Sequence, residues 1–100
     1  MNISVLSVEF LTVEVTALTD PTAGSVEFAF TTTGRPGPSD WVAGSWDGDP
    51  VETGPYHRAR ARVLVGPGYR ELPLGSVAVW VRTSSAPENI VKVAGSLDVS

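Results

Sequence analysis

The sequence predicts an all-β protein in which two sheets face each other across one core. Three observations predict it. Apolar and polar residues alternate in run after run, with the two-residue period of a half-buried strand. Ten glycines and eight prolines among 100 residues punctuate the intervals between those runs. No segment repeats apolar residues at the i, i+3, i+4, i+7 spacing over a helical length.

The first run, ISVLSVEFLTVEVTAL, changes phase part-way. Leu6, Val8 and Phe10 alternate with Ser7 and Glu9; beyond them Leu11, Val13, Val15 and Ala17 form the apolar set, with Thr12, Glu14 and Thr16 opposite. A side-chain period of two changes phase only through an extra residue or a crossing to another sheet. A bulge or a strand switch is therefore expected here. TDPTAGS is turn chemistry. SVEFAFTTT returns to alternation, with Val26, Phe28 and Phe30 on one side and Glu27, Ala29 and Thr31 on the other. GRPGPS, with two prolines and two glycines, predicts a loop that no helix or central strand passes through.

DWVAGSWDG predicts a less regular strand. Trp41 and Trp46 lie five apart, so a regular strand puts one inside and one outside, unless Gly44 marks a bulge. DGDPVETGP is expected as a polar connection. HRARARVLV follows, with Arg58, Arg60 and Arg62 on one face and Ala59, Ala61, Val63 and Val65 on the other. A second Gly/Pro-rich link, GPGYRELPLGS, precedes VAVWVRTSS, a strong strand through Val77, Val79 and Val81. Trp80 within it is expected in the core, between the sheets, because one large aromatic commonly centres the packing of a small domain. APEN predicts a turn. IVKVAGSLDV ends the chain, with Val91, Val93, Leu97 and Val99 in one phase. About seven short antiparallel strands without a helix describe a β-sandwich of immunoglobulin or fibronectin-III type, with a small closed barrel as the competing architecture. One hundred residues make a single domain, 1–100.

Composition narrows the function classes. Hydrophobic residues make up 42% and charged residues 18%, a globular balance, and the formal net charge is −4. With seven basic residues in an acidic chain, a nucleic-acid partner is not expected. The arginine row is read first as a solvent-facing stripe, paired across strands with Glu9, Glu14, Glu27 or Glu52, and no aromatic platform stands out beside it. A patch that meets carboxylates on a neighbouring protein is the second reading. The absence of cysteine excludes disulfides, thiolate nucleophiles and cysteine-ligated zinc. MNISVLSVEF has neither the basic region nor the apolar run of a signal peptide, and no stretch nears the roughly 18 apolar residues of a membrane span.

Enzymatic constellations are not expected. His57 is the single histidine and no GxSxG elbow accompanies it. Asp47-Gly48-Asp49 is read as a solvated turn, since the EF-hand spacing is missing. Pairs among Asp40, Asp47, Asp49 and Glu52 are read as chance surface acids rather than a glycosidase pair. No cofactor or metal is expected. The residues best suited to a partner contact are Arg58, Arg60, Arg62, Trp41, Trp46 and Tyr56, with the GRPGPSDW and DGDPVETGPYH loops beside them. An exposed Trp41 or Trp46 with Tyr56 or Tyr69 also suits stacking on a sugar, which makes a carbohydrate-binding or adhesion module on a virion or cell surface the alternative, with a host surface glycan as its partner.

One cadence runs through most of the chain: Asp40-Trp41, then Gly66-Pro67-Gly68, Val79-Trp80-Val81-Arg82, Pro87-Glu88 and Ala94-Gly95. In this cadence the chain resembles short virion-assembly proteins of actinobacterial tailed phages and prophages. Thr83 departs from it, standing where another apolar β-branched residue is expected. The resemblance implies a virion structural protein with an immunoglobulin-like sandwich, present in multiple copies. Its partners would be capsid, neck or tail subunits, and it carries over no catalytic residues.

Overall fold

The computed structural model of the protein describes residues 2–85 and 88–100. Eight strands follow one another: β1 (Asn2–Ile3), β2 (Glu9–Ala17), β3 (Ser25–Thr31), β4 (Val42–Ala43), β5 (Ser45–Thr53), β6 (Tyr56–Val65), β7 (Gly75–Ser85) and β8 (Glu88–Val99). They form a five-stranded sheet in the order β1-β8-β7-β3-β4 and a three-stranded sheet in the order β2-β6-β5. Residues from the two sheets share one core, so the chain is an all-β sandwich. The only helical element among the described residues is a single 3-10 turn, Pro21–Ala23. Two details differ from the expectation of about seven antiparallel strands: there is an eighth, and β1 pairs with β8 in parallel, Asn2 opposite Asp98 and Ile3 opposite Val99.

The phase change in the first run is a strand switch. Ile3 is buried at the edge of the five-stranded sheet; the chain turns through Ser4 to Val8 and re-enters as β2 in the other sheet. From there Leu11, Val15 and Ala17 face inward, whereas Leu6, Val8 and Phe10 remain exposed. The middle of the sandwich is filled from both sides. Phe28, Val77 and Val81 of one sheet and Val15, Ala61 and Val65 of the other are all fully enclosed. Removing a side chain such as Phe28 costs about 3–5 kcal/mol at comparable sites, several times the worth of a surface ion pair.

Three expectations are corrected. The DGDPVETGP segment is not a loop: β5 continues to Thr53, and the hairpin to β6 closes at Gly54 and Pro55. β5 is an edge strand with a register shift between Asp47 and Val51, and an edge strand with a bulge accommodates Pro50, which has no N–H to give. Trp80 is not between the sheets. Its neighbours Val79 and Val81 face the core, so it stands half-buried on the outer face, its Nε1 donating to Thr31 Oγ1 at 3.0 Å. Finally, β8 does not keep one phase. Val79 pairs with Gly95 but Trp80 pairs with Val93, so Ala94 is an extra residue. Leu97 and Val99 face inward beyond this bulge, and Val91 and Val93 are turned outward before it. Of the expected APEN turn, Ala86 and Pro87 lie outside the described residues.

Gly44 is where the chain crosses from β4 in one sheet to β5 in the other. Its N–H donates to the Val26 carbonyl at 2.9 Å. A Cβ there would lie 2.6 Å from the Phe28 ring and 2.9 Å from the Arg62 carbonyl oxygen. Phe28 is fully buried and has nowhere to retreat. Gly44→Ala is expected to destabilise the fold by about 1–3 kcal/mol, read as a lowered denaturant midpoint at unchanged slope. An unchanged midpoint would contradict this crossing.

Candidate functional site

The six partner-contact candidates do not converge on one surface. Arg58, Arg60 and Arg62 lie on the outer face of the three-stranded sheet, because Ala59, Ala61 and Val63 between and beyond them are buried. β2 and β5 flank the row. Arg60 sits between Glu14 and Asp47, Arg58 between Thr16 and Val51, and Arg62 between Thr12 and Ser45. Arg58 Nη1 approaches Glu14 Oε1 at 3.8 Å. A shallow groove on this face gathers Glu14, Asp47, Asp49, Arg58 and Arg60. Acids on both sides therefore screen the arginines, and the face has mixed charge rather than a positive field.

Of the four glutamates considered as partners, only Glu14 meets the row. Glu52 Oε1 lies 3.8 Å from His57 Nδ1 at the hairpin end, Glu27 belongs to the other sheet, and Glu9 stands opposite Val65. An aromatic neighbour does exist: the Arg62 guanidinium lies over the Phe10 ring at 4.4 Å. The sequence did not show it because Phe10 belongs to a distant strand.

The tryptophans face different ways, but not on one regular strand: the chain crosses between the sheets at Gly44, which lies between them. Trp46 packs against the core and its Nε1 donates to the Gly24 carbonyl at 3.0 Å. Trp41 lies on the outer side of the five-stranded sheet, on the opposite side of the sandwich from the arginine row. It is set there by a tight turn in which Gly37 N–H donates to Asp40 Oδ2 at 2.6 Å and Asp40 N–H donates to the Gly37 carbonyl at 3.1 Å. The Arg82 guanidinium covers the Trp41 ring at 4.3 Å, while Arg82 Nε donates to Glu27 Oε1 at 2.9 Å. Trp41 and Trp80 line a groove with Arg35, Pro36 and Val91. Beside it Val91 and Val93 are 57% and 52% exposed. Tyr56, at the β5–β6 hairpin, is exposed. Tyr69 lines a different groove, with Val42, Ala43, Val63, Leu64 and Arg70.

An apolar outer surface is thus built from Trp41, Trp80, Val91 and Val93 around the Arg82–Glu27 pair. Of these the sequence nominated only Trp41. Trp80 was findable from parity alone, since it alternates with two buried valines. Val91 and Val93 were not, because their facing depends on the extra residue at Ala94. Among the described residues no cluster of three or more His, Cys, Asp or Glu side chains has the geometry of a metal site, and no helix is long and apolar enough to cross a membrane.

Among the described residues one titratable group is clearly shifted. The Thr22 hydroxyl donates to Asp20 Oδ1 at 2.7 Å and the Thr22 N–H does so at 2.9 Å, capping the 3-10 turn. These bonds, with a smaller contribution from His57, hold the Asp20 carboxyl below the usual carboxylate range against an opposing effect of burial. Since the folded value lies below the unfolded one of about 3.9, the cap contributes stability above that pH and loses it as pH falls through the folded value. An NMR titration of Asp20 is expected to show a midpoint below about 3.9 that rises in Thr22→Val. A midpoint at or above the ordinary value in the unmodified protein would contradict the cap.

Compared with protein-family models, curated proteins and solved structures, the chain matches none.

Proposed function

We propose that the protein is a non-enzymatic structural or accessory component of a phage virion, a capsid decoration or a head–tail or tail subunit, that works by docking onto capsid, neck or tail proteins. The observation that carries the docking role is the outer face of the five-stranded sheet. Trp41, Trp80, Val91 and Val93 give it an apolar centre, and the Arg82–Glu27 pair gives it a polar one. Aromatic and arginine side chains of this kind dominate protein interfaces. A stable contact buries on the order of 1,000–2,000 Å², and repeated copies on a symmetric particle multiply weak contacts through effective concentration. The phage setting rests on the cadence running from Asp40-Trp41 to Ala94-Gly95.

The strand order supports an immunoglobulin-like reading of the sandwich. β2, β6 and β5 take the places of strands B, E and D, and β3, β7 and β8 those of C, F and G. A carbohydrate-binding role is the second reading. It is favoured by the groove in which Trp41 and Trp80 stand with Arg35, a pairing of aromatic walls with a hydrogen-bond donor that suits a sugar ring.

Co-sedimentation with phage heads and tails that lack the protein tests the first reading. Binding is expected, weakened about tenfold or more by the double change Trp41→Ala and Val91→Thr, and left unchanged by Arg60→Gln. Failure to sediment with any particle or isolated subunit, with a glycan-array signal that Trp41→Ala abolishes, would replace virion docking with the carbohydrate role.

A further inference from the structure

One edge of the five-stranded sheet is a strand of two residues. β1, Asn2 and Ile3, lies in parallel on the end of β8, at Asp98 and Val99. Two backbone bonds extend this seam: Val5 N–H donates to the Ser100 carbonyl at 2.7 Å, and Ser100 N–H donates to the Ile3 carbonyl at 3.0 Å. One enclosed side chain anchors it. Ile3 is buried in the shared core, Val5 packs against that core half-buried, and Asn2 and Ser4 are exposed. A seam with so few buried apolar contacts is a low-stability part of a fold and opens ahead of the rest.

The connection to β2 gives β1 reach. Residues 4–8 carry the chain from one sheet to the other. Five residues extend to about 17 Å, more than the roughly 10 Å between packed sheets. The segment holds this slack in a turn: Leu6 N–H donates to Ser4 Oγ at 3.2 Å and Ser7 N–H donates to the Ser4 carbonyl at 3.0 Å. Straightening that turn swings β1 outward and leaves the register of β2 with β6 untouched.

The structure itself shows what fits the vacated slot beside β8: a segment with the backbone and isoleucine of β1. A second copy of the chain carries that segment, so exchange restores every contact that opening breaks. It also has something to gain. Leu6 and Val8 in the connection are 83% and 47% exposed in the closed chain. Two straightened connections running past each other cover these side chains.

We propose that β1 exchanges between two copies of the chain. Each copy lays Asn2 and Ile3 on the other's Asp98 and Val99 and buries Ile3 in the other's core. The exchange uses neither the Trp41 face nor the arginine row, and it does not depend on the virion reading.

The chain has no cysteine, so introduced ones report on the exchange without competition. Asn2 and Asp98 are register partners and both are exposed. Neighbours on adjacent strands lie about 4.8 Å apart, within reach of a disulfide. Chains carrying Asn2→Cys and chains carrying Asp98→Cys are mixed, incubated and oxidised. A covalent heterodimer is expected, about tenfold or more above that from Asn2→Cys mixed with Thr53→Cys. Thr53 pairs with Tyr56, at the opposite end of the sandwich from Glu9 and the connection. The double variant Asn2→Cys/Asp98→Cys, oxidised while dilute, is expected to bond within one chain. By analytical ultracentrifugation it then stays monomeric at concentrations where the unmodified chain pairs, and reduction restores pairing. A heterodimer no more abundant than the control would overturn the exchange. Pairing that persists in the bonded double variant would overturn it as well, and would assign the contact to an outer face with β1 in place. Failure of the dilute double variant to bond would contradict the β1–β8 register on which the exchange rests.

Discussion

A β-strand sends successive side chains to opposite faces, and nothing short of an extra residue or a change of sheet alters that order. The structure depends on where the chain makes such breaks. It changes sheet between Ile3 and Glu9 and again at Gly44, and it takes up extra residues between Asp47 and Val51 and at Ala94. Between breaks, burial on one side dictates exposure on the other. Val77, Val79 and Val81 are held in the core, so Ala78, Trp80 and Arg82 are on the outside. The surface chemistry is in this sense a consequence of the core.

Magnitudes say which side governs. Each enclosed aliphatic or aromatic side chain contributes on the order of 1.5–3 kcal/mol through burial. The arginine row offers its sheet at most a few tenths to about 1 kcal/mol per cross-strand pair. Arg58, Arg60 and Arg62 therefore do not hold the sheet in place. The row follows from an inner face of alanines and valines, and its flanking acids, Glu14, Asp47 and Asp49, keep it from acting as a strong cationic surface. The two faces of the sandwich accordingly differ in character, one with mixed charge and the other centred on tryptophan and valine.

Much of this was legible in the sequence. β3, β6 and β7 are strongly alternating, and their inner faces match the apolar sets read from the chain. The phase change before Leu11 signalled a bulge or a strand switch, and the structure has the switch; the opposite facing of Trp41 and Trp46 comes with a sheet crossing at Gly44 rather than from one regular strand. Trp80 is large enough to centre a core, but parity with the buried Val79 and Val81 puts it outside. The polar run from Asp47 to Thr53 reads as a connection, yet it is the second part of β5, because an edge strand with a bulge tolerates Gly48 and Pro50. Val91 and Val93 share odd numbering with Leu97 and Val99, and only the pairing with β7 shows that one residue has been inserted between them. The same limit applies to the Trp41–Arg82–Glu27 group and the Arg62–Phe10 contact. Each joins residues from different strands, and inter-strand register is not written in any single run.

The register of β7 against β8 therefore carries the account, because it decides which face Val91 and Val93 join. Cross-strand nuclear Overhauser contacts between backbone protons of these strands measure it directly. The expected result pairs Val79 with Gly95 and Trp80 with Val93. Pairing of Trp80 with Ala94, an unbroken register, would return the two valines to the core side and dissolve the apolar outer surface.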